Sequence, residues 1–279
     1  MADEPAYAPD TLERIASALE RLSPATPRQV DWLSHPGYIC SGRSVRTLEK
    51  LDALPLDRLR GIDRQKEALG SNVARHAAGH AAHDVLLWGA RGMGKSALLR
   101  ACVAAEQARS LARIALVELD PANIDALPDL LETLGPLDRS FILFLDDLVF
   151  DHGAVSVMRH LRSALEGSLA PRPANVRLAV TSNHRAILAR TASDQPTPLH
   201  ERDALDDTMA LADRFGMRLG FHPCSKDEFL DMIAAHAAPR DLTFEAEDAL
   251  SWSRARGPMS GRIAWQYVVE LAGRAGEQL

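Results

Sequence analysis

The residues best suited to chemistry form a glycine-rich segment, GARGMGKS, that runs from Gly89 to Ser96. It fits the pattern GxxxxGK[ST], follows the apolar residues 85–88 and precedes a stretch rich in alanine and leucine. Glycines let backbone N–H groups converge on phosphate oxygens, and the N-terminus of a following helix adds the positive end of its dipole. The pattern therefore predicts a phosphate-binding loop between a strand and a helix. The predicted nucleotide contacts are Gly89, Ala90, Arg91, Gly92, Met93, Gly94, Lys95, Ser96 and Ala97.

Two side chains of this loop have predicted roles of their own. Lys95 is expected to contact the β- and γ-phosphates of ATP, and Ser96 to ligate Mg²⁺. The chain has only four lysines against 28 arginines, so a lysine at the position that the pattern demands is informative. The alternative is a chance glycine turn before a helix.

A second candidate element is an acidic pair, Asp146 and Asp147, which directly follows the apolar run 141–145. Two carboxylates at the end of a buried strand are costly unless they meet a cation or water at the edge of the sheet. Asp146 suits a direct or indirect partner of Mg²⁺, and Asp147 suits the polarisation of an attacking water. The alternative is a helix N-cap after a strand.

The elements that must position these residues are short apolar runs, which alternate with helical stretches such as 97–110 and 155–166. Continuous apolar runs are typical of strands buried on both faces of a parallel sheet, and the alternation predicts a doubly wound α/β fold. Fifty-one residues separate Lys95 from Asp146, which leaves room for one intervening strand. The polar Asn183 ends a further run, although asparagine after a strand is more often a turn residue. The predicted strands cover residues 85–88, 114–119, 141–145, 177–181 and 217–221.

The chain is predicted to have three parts. Residues 1–60 form an N-terminal helical extension, in which the first twenty-odd residues are one amphipathic helix and 40–60 are polar and helix-leaning. Residues 61–222 form the α/β nucleotide-binding domain. Residues 223–279 lack strand patterns and form a helical unit, whose first helix begins with the capping box Ser225–Glu228.

Six sequence blocks together give a resemblance to a known family. With these blocks the chain resembles AAA+ ATPases, and in particular a bacterial family of AAA+ proteins of unknown function that has them in this order. The resemblance covers about residues 60–272 and implies a P-loop AAA+ fold, with a five-stranded parallel sheet and a C-terminal helical lid. The blocks are GIDRQ at 61–65, GARGMGKS at 89–96, the pair Asp146–Asp147, TSN at 181–183, DRFG at 213–216 and SGRIAWQ at 260–266.

The resemblance also implies roles for single residues. Ile62 would lie near the adenine, Asn183 would be the sensor-1 residue, Arg214 the arginine finger and Arg262 the sensor-2 arginine of the lid. Arg262 follows Ser260 in the first turn of a helix, where a cation opposes the helix dipole, so a phosphate contact would explain its placement. For Arg214 the alternative is an ion pair within the chain, with an aspartate at a helix end.

The pair Asp146–Asp147 departs from the Asp–Glu form of many AAA+ machines. Because Asp147 is one methylene shorter than glutamate, looser positioning of water and slow hydrolysis are expected. Helicase-loader-like and transposition-helper ATPases also have the Asp–Asp form, so the chain resembles a switch more than a strong motor.

Two further patterns have less weight. His76, His80 and His83 have the spacing of a metal-binding helix face, but three solvated histidines near a helix C-terminus are the favoured interpretation. A stretch without acids contains Arg172, Arg177, His184, Arg185 and Arg190. It is interpreted as a solvated basic face, with contact to nucleic acid or a pore lining as the alternative.

Composition limits the class of protein. The 279 residues are 46% apolar and 25% charged, which is enough for a full core and excludes a mostly disordered chain. No apolar run approaches the roughly 18 residues of a membrane span, and the acidic start lacks a signal core. The cysteines Cys40, Cys102 and Cys224 lack CxxC spacing and are interpreted as free thiols, so a cytoplasmic location without membrane contact is expected.

Three functional hypotheses follow. The first is an ATPase that uses ATP and Mg²⁺, assembles into a homo-oligomer when ATP is bound, and remodels or loads a protein or nucleic-acid complex. Its client is an unidentified protein, and nucleic acid stays an alternative partner because the net charge of −6 does not exclude a local basic patch. The second is a slow or non-hydrolysing ATP-dependent binding switch or adaptor. The third, a small-molecule phosphotransferase, has less support because no acceptor motif is visible.

Overall fold

A computed structural model describes residues 13–14, 30–42, 44–148, 155–166, 172–183 and 209–278. Residues 1–32 belong to one structural unit and residues 33–279 to a second, which contains all the elements discussed below. The amphipathic helix predicted for the first twenty-odd residues lies almost wholly outside the described residues. None of the helices in the described part of the chain has the length and apolar content of a membrane span.

The described residues form a sheet of seven strands with the order β2-β1-β4-β5-β6-β3-β7. All neighbouring strands are parallel except β1 and β2, which form an antiparallel hairpin. The predicted α/β class is therefore confirmed. The strands are β1 Gly37–Ser41, β2 Ser44–Leu48, β3 Val85–Gly89, β4 Ile114–Leu119, β5 Ser140–Leu145, β6 Val176–Ser182 and β7 Met217–Phe221.

Helices connect the strands and form the C-terminal part of the chain. Short 3-10 turns lie at Leu56–Arg58, Leu111–Arg113, Pro121–Ala126 and Ala238–Arg240. The main α-helices are α1 Asp63–Ala77, α2 Lys95–Arg109, α3 Leu127–Leu134, α4 Val155–Glu166, α5 Lys226–Ala237, α6 Ala246–Arg254 and α7 Gly261–Ala275.

The strand count and the structure of residues 40–60 correct the sequence-based expectation. Five parallel strands were expected, and the two additional strands, β1 and β2, occupy residues predicted to be helical. The backbone of β1 pairs with β4, and the side chains of Tyr38 and Cys40 are buried. Gly42 allows the tight turn because its φ is +59°. The proposed boundaries at 61–222 and 223–279 stay predictions.

The sheet order explains how distant parts of the sequence meet. β6 lies between β5 and β3, and Ser182 at its end pairs with Trp88. The residues that follow β3, β5 and β6 therefore meet at one edge of the sheet. All residues of β5 are buried, as expected of a central strand of the sheet.

The C-terminal helices pack through an apolar core of their own residues. Phe229 and Ile233 of α5 and Tyr267 and Val268 of α7 are fully buried. The predicted capping box is confirmed: the Glu228 N–H donates to Ser225 Oγ at 3.2 Å, and the Ser225 N–H donates to Glu228 Oε2 at 2.7 Å. The box starts α5 at a defined residue and so fixes which of its side chains face α7.

Candidate functional site

The loop between β3 and α2 is held against the edge strand β7. The Ala90 N–H donates to the carbonyl oxygen of Phe221 at 2.8 Å. Gly89 has φ +123°, and a Cβ atom at this position would lie 2.1 Å from the same oxygen. Only glycine permits this close approach, so the loop starts from a fixed point of the sheet.

Lys95 is the first residue of α2, and its side chain is buried within the loop. Its Nζ donates to the carbonyl oxygens of Gly89 and Ala90 at 2.9 Å and to Asn183 Oδ1 at 2.8 Å. Burial lowers the pKa of Lys95, and the carboxylates of Asp147 and Asp146 act in the opposite direction. The loop therefore has a positive group at its centre that is held in place by three oxygen atoms.

Asp146 accepts hydrogen bonds from two hydroxyl groups. Ser96 Oγ donates to Asp146 Oδ1 at 2.6 Å, and Thr181 Oγ1 donates to the same oxygen at 2.5 Å. The other carboxylate oxygen lies 3.7 Å from Arg100 Nη2. A serine hydroxyl beside a carboxylate is a donor set that suits a hard cation such as Mg²⁺.

Asp147 has a left-handed backbone conformation with φ +54°. Its N–H donates to Thr181 Oγ1 at 2.7 Å, so the same hydroxyl contacts both aspartates. Asn183 Nδ2 donates to Asp147 Oδ1, while Asn183 Oδ1 accepts from Lys95. The amide of Asn183 thus joins the acidic pair to the lysine of the loop.

The helix α7 begins against this loop. Ser260 Oγ caps the helix by accepting from the Ile263 N–H at 3.4 Å. The Arg262 N–H donates to the carbonyl oxygen of Gly92 at 3.2 Å. A Cβ atom at Gly92 would lie 2.9 Å from Ser260 Oγ. The close contact between the loop and the start of α7 therefore requires glycine at position 92.

These groups surround a pocket of about 440 Å³, which is within the range of roughly 300–1,000 Å³ that small-molecule sites occupy. Its polar lining residues include most of those predicted from the sequence. Its apolar lining residues were not predicted, and Thr181 was not assigned a role. The lining residues are Leu54, Leu59, Arg91, Gly92, Gly94, Lys95, Ser96, Ala97, Asp146, Asp147, Thr181, Asn183, His236, Gly261, Arg262 and Trp265.

Four residues of the predicted nucleotide contacts are not in the pocket wall. Gly89, Ala90 and the buried Met93 support the loop from the side of the sheet. Ile62, predicted beside the adenine, is buried, and its Cδ1 lies 3.7 Å from the Cβ position of Gly94. It therefore packs under the loop.

The comparisons with known proteins are consistent with this geometry. The family model described as "Protein of unknown function (DUF815)" matches residues 37–275. The chain belongs to the DUF815 family. No curated protein sequence matches it.

Solved structures with the same fold are AAA+ proteins. Thermotoga maritima RuvB, a Holliday junction branch migration motor, has a TM-score of 0.52 and 20% identity, over 81% of the DUF815 chain and 68% of its own. The ORC2 protein of Aeropyrum pernix has a TM-score of 0.54 and 15% identity, over 82% and 67%. The FIGL-1 AAA domain has a TM-score of 0.54 and 15% identity, over 80% and 75%. The DUF815 protein thus has the AAA+ fold.

Arg214 lies outside the pocket of its own chain. Its side chain is exposed, and Nη1 donates to the carbonyl oxygen of Ala210. The neighbouring Asp213 forms an ion pair with Arg218 at 2.5 Å. In the DUF815 protein this arginine therefore does not contribute to the wall of the site described above.

The three histidines differ from the expectation that all are solvated. His76 is buried in the DUF815 protein, because α1 packs on the sheet and His76 Nε2 lies 3.0 Å from the carbonyl oxygen of Phe141. His80 and His83 are exposed. No group of three or more potential metal ligands occurs among the described residues.

The basic stretch is only partly described, since His184, Arg185 and Arg190 lie outside the described residues. Arg172 forms a bidentate ion pair with Asp84. Arg177 Nε donates to the carbonyl oxygen of Ala82 at 2.7 Å. These two arginines are therefore half-buried structural groups, and the interpretation as a solvated face is wrong for them.

Proposed function

We propose that this protein binds ATP with Mg²⁺ and hydrolyses it as an AAA+ ATPase. The observation that carries the proposal is the position of Asn183, whose amide links Lys95 to Asp147 at the floor of the pocket. A cation, a carboxylate and an amide that converge in this way are the groups needed to bind a γ-phosphate and orient a water for in-line attack. The AAA+ fold of the chain supports the same conclusion.

We propose a role for each of these residues. Lys95 neutralises the β- and γ-phosphates once its contacts to the loop carbonyls are released. Asp147 accepts a proton from the attacking water, and Asn183 orients that water. Arg262 contacts a phosphate, and its place in the pocket lining supports this role.

The donor set around Asp146 fits a magnesium ion. Ser96 Oγ and Asp146 Oδ1, now 2.6 Å apart, would both face the metal when it is bound. Bound Mg²⁺ supplies charge neutralisation between the β- and γ-phosphates. Thr181 keeps the Asp146 carboxylate directed at this position through its 2.5 Å hydrogen bond.

We further propose that hydrolysis is coupled to remodelling or loading of a protein or nucleic-acid complex by an ATP-dependent homo-oligomer. The support is the exposed position of Arg214 outside its own pocket, where it is accessible to a neighbouring subunit. Among the structures with this fold, RuvB is a branch migration motor that acts on Holliday junctions. The client is an unidentified protein, with nucleic acid as an alternative, and the proposed location is the cytoplasm.

A slow ATP-dependent switch is the second candidate. The observation that favours it is the short Asp147 side chain, which is already engaged by Asn183. An aspartate that is tied in this way has less reach toward a water than a glutamate. A phosphotransferase is not supported by any feature of the pocket that we have described.

The test is calorimetric titration with ATP and Mg²⁺, together with a phosphate-release assay. Lys95→Ala is expected to abolish tight binding, whereas the control Lys66→Ala is expected to bind normally, because Lys66 forms an ion pair with Asp63 and does not line the pocket. Unchanged affinity of Lys95→Ala would overturn the proposal. Asp147→Asn is expected to bind ATP without turnover. A wild type that binds ATP tightly but turns over no faster than this variant would favour the switch.

A further inference from the structure

The guanidinium of Arg100 on α2 lies between two carboxylates that belong to neighbouring strands. Its Nη2 is 3.7 Å from Glu118 Oε2, near the end of β4, and 3.7 Å from Asp146 Oδ2, directly after β5. Its Cζ lies 6.0 Å from the centre of the Phe144 ring, which is fully buried in β5. One cation is thus shared by two acids at the edge of the sheet where the metal is proposed to bind.

The two carboxylate oxygens of Asp146 have different partners. Oδ1 accepts hydrogen bonds from Ser96 and Thr181 and is the oxygen assigned to the metal above. Oδ2 faces Arg100, so the negative charge of the carboxylate is partly neutralised before any metal ion arrives. The proposed mechanism gives Arg100 no role, and Arg100 is not among the lining residues of the pocket described above.

A guanidinium in this position lowers the affinity of the carboxylate for a free divalent cation. A metal ion on Asp146 would lie close to a positive charge, and the repulsion raises the free energy of the metal-bound state. The Asp146 side chain is 31% exposed, so a hydrated ion can reach it from solvent. Without Arg100, Glu118 and Asp146 would be two unneutralised carboxylates close together, and carboxylate oxygens are ligands that suit Mg²⁺ and Mn²⁺.

We propose that Arg100 prevents Asp146 from binding a divalent cation alone, so that the site takes up the metal together with ATP. The β- and γ-phosphates of ATP supply the negative charge that the neutralised carboxylate lacks, and phosphate and carboxylate then hold the metal jointly. The part of this inference that concerns ATP rests on the proposed function. Arg100 is a positioning residue, because it acts through Asp146 and not on the nucleotide itself.

The test is a titration of the nucleotide-free protein with Mn²⁺, in which the electron paramagnetic resonance signal measures the free ion. Arg100→Met has no charge and is expected to bind Mn²⁺ at least about tenfold more tightly than wild type. Arg100→Gln is a second neutral variant, with a polar side chain that suits a partly exposed position, and is expected to show the same gain. Arg100→Lys keeps the charge and is expected to resemble wild type. The matched control Arg109→Met removes an arginine from the other end of α2, where it pairs with Glu106, and should also resemble wild type.

The double variant Arg100→Met/Asp146→Asn shows where the additional Mn²⁺ binds. It is expected to lose the gain, since the carboxylate that Arg100 neutralises is no longer present. A neutral Arg100 variant that gives a cooperative urea unfolding transition but binds Mn²⁺ no more tightly than wild type would overturn the inference. A gain of the same size in Arg109→Met, or one that persists in the double variant, would also overturn it.

Calorimetric titration of the wild type with MgATP separates failure of this inference from failure of the proposed function. A wild type that does not bind MgATP overturns the proposed function, whatever the Mn²⁺ titrations of the Arg100 variants give. A wild type that binds MgATP, with neutral Arg100 variants that show no gain for Mn²⁺, leaves the proposed function in place and removes the role of Arg100.

Discussion

Buried His76 makes the stability of the protein depend on pH in a way that can be calculated. Desolvation lowers the pKa of His76 from 6.5 to about 4, and Arg177 and Arg172 add to this effect. The hydrogen bond to Phe141 and the charge of Asp84 oppose it. The unfolded chain binds the proton of His76 more readily than the folded protein does. The free energy of unfolding is therefore at its full value above pH 6.5 and decreases as the pH falls from 6.5 toward 4. At about 1.4 kcal/mol for each pH unit between the two values, the full loss is about 3.4 kcal/mol.

The assay is urea unfolding at pH 7 and pH 5 for the wild type and for His76→Gln, whose amide can still donate to the Phe141 carbonyl. Over this interval the same relation gives a loss of about 2 kcal/mol from His76 alone. The wild type is therefore expected to lose about 2 kcal/mol more than the variant, and His80→Gln serves as a control for removing an exposed histidine. Equal losses in the wild type and His76→Gln would refute the reasoning, since the buried ring would then not resist protonation.

Three other substitutions test the site and its support. Gly89→Ala is expected to destabilise the protein by more than about 2 kcal/mol in urea unfolding, because the new methyl group meets a backbone oxygen at 2.1 Å. Gly273→Ala, with open space around it, should be neutral or stabilising, and similar losses for both would contradict this view. Arg262→Ala should weaken ATP more than ADP in calorimetry, whereas equal weakening would indicate a purely structural role. Arg214→Ala should bind ATP but lose about 10³–10⁵-fold in turnover, and mixing it with Lys95→Ala should restore part of the activity. No rescue, together with specific activity that is independent of concentration, would exclude a finger that acts between subunits.

The central strands could be predicted from the sequence because they are continuous apolar runs. β4 and β7 have the predicted bounds, Ile114–Leu119 and Met217–Phe221. β3 and β5 are one residue longer than predicted, and β6 is longer by one residue at each end. The hairpin β1–β2 was missed because β2 is a polar edge strand, SVRTL, whose pairing with β1 and not its own pattern makes it a strand. A segment that becomes a strand only by pairing with another strand shows no strand pattern in its own residues.

The polar lining of the pocket could be predicted because its residues follow strands that lie side by side. Lys95, Asp146 and Asn183 follow β3, β5 and β6, which are consecutive in the sheet. The apolar lining could not be predicted, since Leu54 and His236 come from segments far apart in the chain and have no motif. His76 was interpreted as solvated because its spacing does not reveal that α1 turns this face toward β5.

The left-handed backbone at Asp147 restricts which acid this position can hold. Asparagine and aspartate tolerate a φ of +54° better than other residues with a side chain, because their short polar groups can bond to nearby atoms. Glutamate lacks this local compensation, so lengthening the acid by one methylene would also strain the turn that Thr181 holds through the 147 N–H. An Asp147→Glu exchange is thus a change of backbone as well as of reach. Conversion of this protein to the Asp–Glu form would therefore change the backbone at the end of β5 together with the side chain.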